Sequence, residues 1–348
     1  MEKMNYLDRN EFNYAPSQEV VDAFKEFDVS KLCFYTRIYD EGKKSIFSVY
    51  LSQIYDIDES QVLLGYGGED ILKQFVHYFL TELDGNKTML IPKFSWWYYK
   101  SIAEEVDGKS IQYPLYEEGD TYKYDFEALK EILSVENPKI LLLASPNNPT
   151  GNSLTPDEID RLLSFVPANT YVVVDEAYAS FIMEDNSYIK RLIDKYPNLL
   201  IVRTLSKFYG LPGLRMGFAF MGKKLEKFSK YSNKYLGYNR ISEDIAIAAL
   251  KSEKHYRNIA RLMNMDRKMY EDEIGVLPGF KVYKSAANFI LIKYPIELKA
   301  ALQNAFAQED YKVKFMNEPD ISTHLRITLG RPEQNRVVAD TILKIARG

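Results

Sequence analysis

The sequence predicts an α/β protein whose larger domain has three layers around a mostly parallel sheet, followed by a smaller α+β domain at the C-terminal end. Two observations support this fold class. Short apolar runs recur through the first two-thirds of the 348 residues, and each is followed by a turn and a helical pattern. Such alternation is typical of buried parallel strands joined by helices. After about residue 239 the pattern changes to a long helical stretch and then to further short apolar runs.

The apolar runs that predict strands of the larger domain cover residues 61–64, 88–91, 140–144, 171–174 and 199–202. A glycine turn follows the first run, and six apolar side chains then share one stripe at helical spacing: Ile71, Leu72, Phe75, Val76, Phe79 and Leu80. Another helix is predicted at Thr155, where Pro156 and Glu158 complete a capping-box start. Strand and helix therefore alternate along this part of the chain.

The C-terminal third contains a predicted helical stretch over 239–269 and strands near 280–283, 289–292 and 325–328, and Pro332 begins a final helix. We therefore predict an N-terminal arm over 1–34, a large domain over 35–238 and a small domain over 239–348. The mixed polarity of the arm suggests that it packs on the rest of its own subunit or on a partner subunit.

Composition excludes several classes of protein. With 46% hydrophobic and 27% charged residues, the chain is expected to fold as a soluble globular protein. Lys plus Arg number 45 against 49 Asp plus Glu, a net charge of −4, so no basic excess favours a nucleic acid or an anionic membrane. The apolar runs are too short to span a membrane. Cys33 is the single cysteine and the N-terminus lacks a signal-peptide pattern, so a cytoplasmic protein is expected.

Three short motifs do not support the sites that they resemble. Residues 108–110 end like a phosphate-binding P-loop but lack its upstream glycine, and acidic residues precede them. The run that begins at Gly65 resembles a dinucleotide fingerprint, but Asp70 stands where the third glycine is needed. His77, His255 and His324 have no paired ligand spacing, so no metal site is predicted.

A lysine loop directly follows the apolar run that ends at Val202. It contains Ser206 and Lys207, three glycines, and Arg215. A sheltered lysine amine can form an imine with a carbonyl group, and a serine hydroxyl and a guanidinium can hold a nearby phosphate. A solvated loop would explain Lys207 alone, but the combined spacing favours a site for pyridoxal 5′-phosphate.

Two other strand ends carry polar groups that suit the ring of this cofactor. Asp175 ends the run at 171–174, where a carboxylate can keep a pyridine nitrogen protonated, and Tyr178 follows three residues later. A turn-capping aspartate is the alternative explanation for Asp175. Asn148 lies in a Pro/Gly turn after residue 144 and adds an amide donor for the ring oxygen.

The predicted cofactor site also includes a place for the phosphate and an aromatic side chain that can stack on the ring. Gly67, Gly68 and Glu69 lie at a predicted helix N-terminus, where free N–H groups and the helix dipole favour a phosphate. Carboxylates favour the same position, so the side chains of Glu69 and Asp70 must point away. Trp97, or its neighbour Trp96, is available to stack on the cofactor ring, although packing in the core would explain either one.

Taken in order, the Ser-Lys-x-x-Gly-Leu-x-Gly-Leu-Arg-x-Gly string at 206–217, the Asn-Asn-Pro-Thr-Gly turn at 147–151 and Asp-Glu-Ala-Tyr at 175–178 resemble class I/II pyridoxal-phosphate aminotransferases of the aspartate aminotransferase fold. The string at 10–17, the Asn-Phe-Ile-Leu-Ile run at 288–292 and the His-Leu-Arg-Ile-Thr-Leu-Gly run at 324–330 resemble histidinol-phosphate aminotransferases within that group. The resemblance covers nearly the whole chain and implies fold type I of pyridoxal-phosphate-dependent transferases.

The resemblance implies a role for each matching residue. Lys207 would carry the cofactor as an imine and shuttle the proton, and Asp175 would pair with the pyridine nitrogen. The other implied cofactor contacts are Tyr178 and Asn148 at the ring oxygen, Trp97 on the ring, and Gly67, Gly68, Glu69, Ser206 and Arg215 at the phosphate. Tyr35 would reach the phosphate of the neighbouring subunit, which implies a homodimer with shared sites.

The implied substrate contacts are Arg326, Tyr14, Asn148 and Lys314. Lys314 stands where relatives usually carry a phosphate-binding arginine, and lysine lacks the bidentate geometry of arginine. The expected reaction moves an amino group between glutamate and a second substrate, histidinol phosphate or its keto form in histidine biosynthesis. Alternatives are an aromatic or other amino-acid aminotransferase, a threonine-phosphate-type decarboxylase on the same scaffold, and a non-catalytic cofactor-binding protein.

Overall fold

The computed structural model describes residues 4–82 and 85–347. Its strands are β1 (Asn5–Leu7), β2 (Val62–Gly65), β3 (Thr88–Pro92), β4 (Lys109–Tyr113), β5 (Leu115–Glu118), β6 (Thr121–Tyr124), β7 (Ile140–Ala144), β8 (Tyr171–Asp175), β9 (Leu199–Thr204), β10 (Gly217–Met221), β11 (Lys281–Tyr283), β12 (Phe289–Lys293), β13 (Tyr311–Phe315) and β14 (His324–Thr328). The five strands predicted in the first two-thirds correspond to β2, β3, β7, β8 and β9.

The α-helices are α1 (Gln18–Lys25), α2 (Ile46–Tyr55), α3 (Gly68–Thr81), α4 (Tyr98–Glu104), α5 (Phe126–Glu136), α6 (Pro156–Ser164), α7 (Ser187–Lys195), α8 (Glu226–Ser232), α9 (Arg240–Lys251), α10 (Glu253–Glu273), α11 (Lys299–Gln308) and α12 (Pro332–Arg347). The predicted capping box is present at α6, where the Thr155 hydroxyl accepts from the Glu158 amide. The helical stretch predicted over 239–269 is two helices, because the chain turns at Ser252 between α9 and α10.

Seven strands form the larger sheet in the order β2-β10-β9-β8-β7-β3-β4. The neighbours from β9 to β4 pair in parallel, and β10 is antiparallel to both β9 and β2. Alternate residues of each strand face opposite cores: Leu199 and Ile201 pack with α2, α6 and α7, whereas Leu200 and Val202 pack with α3, α4 and α8. Both faces of the sheet are therefore covered, which confirms the predicted α/β class and its three layers.

A second sheet of five strands has the order β1-β13-β14-β12-β11 and packs on α10, α11 and α12. Its first strand comes from the N-terminal segment, residues 4–39, because residues 5–7 pair in parallel with residues 311–313. The N-terminal segment then runs from this sheet across to the larger one. Within the described residues, we find no helix that combines the length and apolar character needed to span a membrane.

Candidate active site

The candidate site lies where neighbouring strands of the larger sheet reach their carboxyl ends. Asp175 is the last residue of β8, Lys207 follows β9, and Asn148 follows β7. The Gly67–Gly68 turn follows β2, which is joined to β9 through β10. Because parallel strands place their carboxyl ends along one edge, residues that are distant in sequence meet here.

Lys207 lies at the centre of the site, and its side chain is half-buried. Its Nζ donates to the carbonyl oxygens of Arg9 and Asn10, each at 3.2 Å, and lies 5.9 Å from the ring centre of Tyr178. Burial, and then the nearby Arg326 guanidinium, lower the pKa of Lys207 to about 8. A larger fraction of the amine is therefore neutral near neutral pH, as a nucleophile requires.

The Asp175 carboxylate is buried and accepts two hydrogen bonds. The Tyr99 phenol donates to Oδ2 at 2.6 Å, and the Ala177 amide donates to Oδ1 at 2.9 Å. Burial raises the pKa of Asp175, whereas these two donors and Lys207 act in the opposite direction. The carboxylate is thus oriented by fixed donors at the end of its strand.

Tyr178 is buried beside the lysine, and its position depends on the N-terminal segment. The side-chain amide of Asn10 donates to the Tyr178 hydroxyl at 2.9 Å, and the Asn10 backbone N–H donates to the Thr328 hydroxyl at 2.9 Å. The Asn288 side chain donates to the Asn10 carbonyl at 3.1 Å. Asn10 therefore joins the second sheet to the larger one at the site.

Two loops approach closely around Gly67, which has a φ of +89° and caps the N-terminus of α3. A Cβ on Gly67 would lie 2.7 Å from Nη2 of Arg215, and a Cβ on Gly217 would lie 2.4 Å from the Gly67 carbonyl carbon. The Arg215 guanidinium donates to the Tyr66 carbonyl at 3.2 Å. Backbone and guanidinium thus enclose a cradle at a helix N-terminus, as a phosphate requires.

The two carboxylates at the start of α3 are held by neighbouring groups. Asp70 accepts from the Tyr66 amide at 2.9 Å, and the Glu69 carboxylate lies 3.9 Å from the Arg215 guanidinium. On the other side of the turn, the Thr204 hydroxyl donates to the buried Ser206 hydroxyl at 2.9 Å. The structure therefore brings Gly67, Gly68, Ser206 and Arg215 to one end of the sheet.

Arg326 reaches this edge from β14 of the second sheet, and it is 9% exposed. Its guanidinium donates to the Asn148 side-chain oxygen and to the Asp8 carbonyl and lies 5.5 Å from the Phe289 ring centre. Its Nε is buried and has no hydrogen-bond partner among the described residues. A buried arginine with a free donor next to the lysine is suited to bind an anionic group of a substrate.

Lys314 is the cross-strand partner of Arg326 in the antiparallel pair β13–β14. Directly opposed residues of such a pair point to the same face of the sheet. Lys314 is exposed, and we find no ion pair or hydrogen bond of its ammonium among the described residues. The Arg326 guanidinium and the Lys314 ammonium therefore lie on the same face of the second sheet.

Three predicted site residues lie outside this cluster in the single chain. The Tyr14 hydroxyl donates to the Gly330 carbonyl at 3.1 Å, and Tyr35 is 62% exposed on the N-terminal segment. Trp97 is 69% exposed, and its ring contact is with Tyr98. Trp96 is half-buried and packs edge-on against Tyr99 at 5.6 Å. The stacking role of Trp97 stays a prediction.

Two residues that orient the site are not predicted from the sequence. Tyr99 is on α4, where helical spacing predicts only that it shares a buried face with Ile102 and Ala103. Asn10 has a φ of +56°, a conformation that asparagine tolerates better than most residues, but its sequence position does not indicate its contact with Tyr178. Both contacts join elements that are distant in sequence.

The residues present fit pyridoxal 5′-phosphate. A lysine amine with a lowered pKa, a buried carboxylate at a strand end, and a phenol beside the lysine match the reactive end and the ring of this cofactor. The cradle that a Cβ at Gly67 would fill matches its phosphate. We find no group of side chains suited to hold a metal ion within residues 4–82 and 85–347.

Comparison with known proteins agrees with this geometry. The family model described as aminotransferase class I and II matches residues 2–342. A histidinol-phosphate aminotransferase of Ruminiclostridium cellulolyticum is 31% identical over 296 residues, which cover 85% of this chain and 80% of the relative.

Two solved structures show the same fold. Histidinol-phosphate aminotransferase from Sinorhizobium meliloti, in complex with pyridoxal 5′-phosphate, has a TM-score of 0.86 at 19% identity, with 99% of this chain and 92% of the other covered. L-threonine-O-3-phosphate decarboxylase from Porphyromonas gingivalis has a TM-score of 0.80 at 20% identity, with 99% and 100% covered. At these identities the likeness concerns the fold alone.

The predicted family resemblance, fold type and cofactor are confirmed by the match along the chain. The reaction class is confirmed as well, since the family model and the relative at 31% identity are both of aminotransferases. The chain belongs to the class I and II aminotransferases and is a pyridoxal-phosphate-dependent enzyme.

Proposed function

We propose that this aminotransferase moves an amino group between two substrate pairs. One pair is glutamate and 2-oxoglutarate, and the other is histidinol phosphate and its keto form. The main support is the position of Arg326, which is buried beside Asn148 and whose Nε has no hydrogen-bond partner within residues 4–82 and 85–347. Lys314 lies opposite it in the sheet. Arg326 holds the α-carboxylate of glutamate, and Lys314 serves the phosphate of the second substrate. The relative named for this reaction adds support from sequence.

Each site residue has a proposed task. Lys207 binds the cofactor through its amine and moves the proton during transfer, and Asp175 holds a proton at the pyridine nitrogen. Tyr178 and Asn148 hydrogen-bond the ring oxygen. When bound, pyridoxal 5′-phosphate supplies an aldehyde that takes up the amino group and a ring that withdraws electrons. Trp97 covers the ring, and Tyr14, whose hydroxyl donates to the Gly330 carbonyl in the single chain, reaches the substrate in the assembled site.

We assign the cofactor phosphate to the turn at Gly67 and Gly68, beside the loop that contains Ser206 and Arg215. Gly67 allows the close approach, the amides of Gly68 and Glu69 donate to the phosphate, and Ser206 and Arg215 complete its hydrogen bonds. This assignment is supported by the small separation between Gly67 and the Arg215 guanidinium. Glu69 lies 3.9 Å from that guanidinium and Asp70 accepts from the Tyr66 amide, so both carboxylates at this helix start have partners of their own.

A homodimer is part of the proposal, with the partner subunit's Tyr35 reaching the phosphate. Large apolar side chains are exposed on the N-terminal segment and near α8: Phe24, Val29, Leu32, Phe34, Tyr35, Tyr235 and Leu236. Tyr39 stacks on Tyr235 at 5.8 Å and joins the two segments into one patch. This concentration of exposed apolar side chains on two adjoining segments favours a subunit interface.

We also propose that the domains begin at residues 35 and 239, as predicted, and that the protein is cytoplasmic. The boundaries are supported by the division of the strands, since β2 to β10 lie before residue 239 and β11 to β14 after it. The N-terminal segment belongs to neither unit alone, because β1 joins the second sheet whereas Asn10 donates to Tyr178 of the larger unit.

The substrate is tested with purified enzyme loaded with pyridoxal 5′-phosphate. Glutamate is expected to convert the cofactor to its amino form, which is followed by the change in absorption. Among second substrates, histidinol phosphate is expected to have a kcat/KM at least about a hundredfold above that of histidinol, about 2.7 kcal/mol of transition-state binding. Phenylalanine and threonine phosphate are the comparison substrates.

Two outcomes would contradict parts of this proposal. Equal kcat/KM for histidinol and histidinol phosphate rejects the phosphate-bearing substrate, and release of carbon dioxide from threonine phosphate without amino transfer favours the decarboxylase alternative. Lys207→Ala is the control, and it is expected to show no conversion with any substrate and no link to the cofactor that borohydride can fix.

A further inference from the structure

Tyr99 makes the shortest contact to the Asp175 side chain, and the reaction assigned above does not account for it. The phenol donates to Oδ2 at 2.6 Å, and both side chains are buried. Burial raises the pKa of Tyr99 well above its ordinary value, and the Asp175 charge adds to the effect. The phenol therefore keeps its proton and remains a donor throughout the working pH range.

The second oxygen of Asp175 has a different donor, the Ala177 amide at 2.9 Å. Each carboxylate oxygen has two acceptor positions, so one on each oxygen remains for a further proton. The charged groups that act on this carboxylate are Glu176, which disfavours its ionised form, and Lys207, which favours it. Tyr99 is thus the side-chain donor that offsets burial and the neighbouring Glu176 carboxylate.

We propose that Tyr99 is a positioning residue that keeps the proton shared by Asp175 and the pyridine nitrogen of the cofactor on the nitrogen. A hydrogen bond to a carboxylate stabilises its charged form more than its protonated form. Without the phenol, the shared proton moves toward Asp175, and the ring withdraws electrons less strongly. The inference rests on the role proposed for Asp175.

Loss of the hydroxyl alone leaves the packing of Tyr99 in place. Its ring lies on the buried face of α4 together with Ile102, and Trp96 packs edge-on against it at 5.6 Å. Tyr113 offers a matched control, because it is another fully buried tyrosine whose hydroxyl donates to a backbone carbonyl, that of Leu142, at 3.0 Å. Tyr113→Phe removes a buried hydroxyl without touching Asp175.

The test measures where the proton lies. Holoenzyme is prepared with pyridoxal 5′-phosphate labelled with ¹⁵N in the ring, and the ¹⁵N resonance is recorded for wild type, Tyr99→Phe and Tyr113→Phe. Wild type and Tyr113→Phe are expected to show a protonated ring nitrogen, whereas Tyr99→Phe shifts toward the unprotonated position. The glutamate half-reaction is expected to slow by about tenfold in Tyr99→Phe, the effect of one hydrogen bond to a charged group.

A double-mutant cycle separates positioning from a structural role. In an Asp175→Asn background there is no carboxylate for Tyr99 to stabilise, so adding Tyr99→Phe is expected to cause no further slowing. The same tenfold loss in that background rejects the inference, as does an unfolded Tyr99→Phe protein beside a folded Tyr113→Phe protein.

The two proposals fail in different ways. An unprotonated ring nitrogen in the wild type contradicts the role of Asp175 and, with it, this inference. A protonated nitrogen in the wild type that does not shift in Tyr99→Phe contradicts only the role of Tyr99.

Discussion

At the scale of single residues, the site depends on charges that are buried next to one another. Arg326 and Lys207 lie close enough for the arginine to lower the pKa of the lysine, and burial lowers the pKa of both groups. Such groups are costly to bury without partners, and the Nε of Arg326 has no hydrogen-bond partner in the part of the chain that the structure describes. An anionic substrate group would supply the missing partner.

Arg326→Ala is expected to lower kcat/KM for glutamate by at least about a hundredfold, because a guanidinium grips a carboxylate with two hydrogen bonds. Lys314→Ala is its matched variant on the neighbouring strand. Its effect is expected only with a phosphorylated second substrate, since a single exposed ammonium has no part in holding the glutamate α-carboxylate. The rates of both half-reactions and the cofactor affinity are measured for each variant.

If Arg326→Ala lowers kcat/KM by a similar small factor for every substrate, Arg326 does not bind the anionic group of the substrate. A Lys314→Ala enzyme that uses histidinol phosphate as well as the wild type does would assign the phosphate to another group.

At the scale of elements, α2 and α9 are joined by a buried polar contact near the exposed apolar patch. Ser45 caps α2 by accepting from the Phe47 amide at 2.9 Å, and its hydroxyl donates to the Glu243 carboxylate in the first turn of α9. Burial raises the pKa of Glu243 to about 7, and the Ser45 hydrogen bond opposes this only in part. The folded protein therefore holds the Glu243 proton more tightly than the unfolded chain does.

Since the folded pKa of Glu243 lies above the unfolded one, its contribution to stability is complete below about pH 4, falls as the pH rises from there, and is lost once the pH has passed through about 7. Glu243→Gln removes this titration, so the wild type is expected to lose stability relative to the variant between these limits, by at most about 3 kcal/mol. Urea unfolding at several pH values measures the difference. Glu226→Gln, at an exposed ion pair with Lys230, is the control.

A constant difference between wild type and Glu243→Gln across this pH range would show that Glu243 has the same pKa in the folded and the unfolded protein.

At the scale of the whole molecule, the N-terminal segment connects parts that are distant in sequence. It contributes β1 to the second sheet, Asn10 to the Tyr178 hydroxyl, and the exposed Tyr35. In the proposed dimer, Tyr35 completes the site of the partner subunit, whereas Lys207 acts in its own subunit. Each site then needs residues from both chains.

Co-expression of Tyr35→Ala and Lys207→Ala subunits tests this sharing. Each variant alone is expected to have little activity, but a mixed dimer places both changes in one site and leaves the other intact. Random pairing then gives about a quarter of the wild-type activity. Separate purification tags on the two subunits allow the mixed dimer to be isolated and assayed.

Activity no greater than the sum of the two variants would show that Tyr35 and Lys207 serve the same chain. Light scattering of the wild type provides the independent check, since a monomer at working concentration contradicts the shared site directly.

The sequence by itself determined the α/β class, the strands β2, β3, β7, β8 and β9, and the strand-end positions of Asp175, Lys207 and Asn148. These features are local, because a buried parallel strand is a continuous apolar run and a turn or helix start has its own residues. The family motifs extended this to the cofactor and the reaction class, since they link a chemistry to residues at fixed spacing.

Only the tertiary structure decided which side chains meet at the site. The Tyr99 phenol reaches Asp175 across 76 positions, and the Asn10 amide reaches Tyr178 across 168. The break at Ser252 and the pairing of β1 with β13 likewise depend on packing between distant segments. Periodicity indicates which face of an element is buried, but the partner on that face is set by how strands and helices pack together.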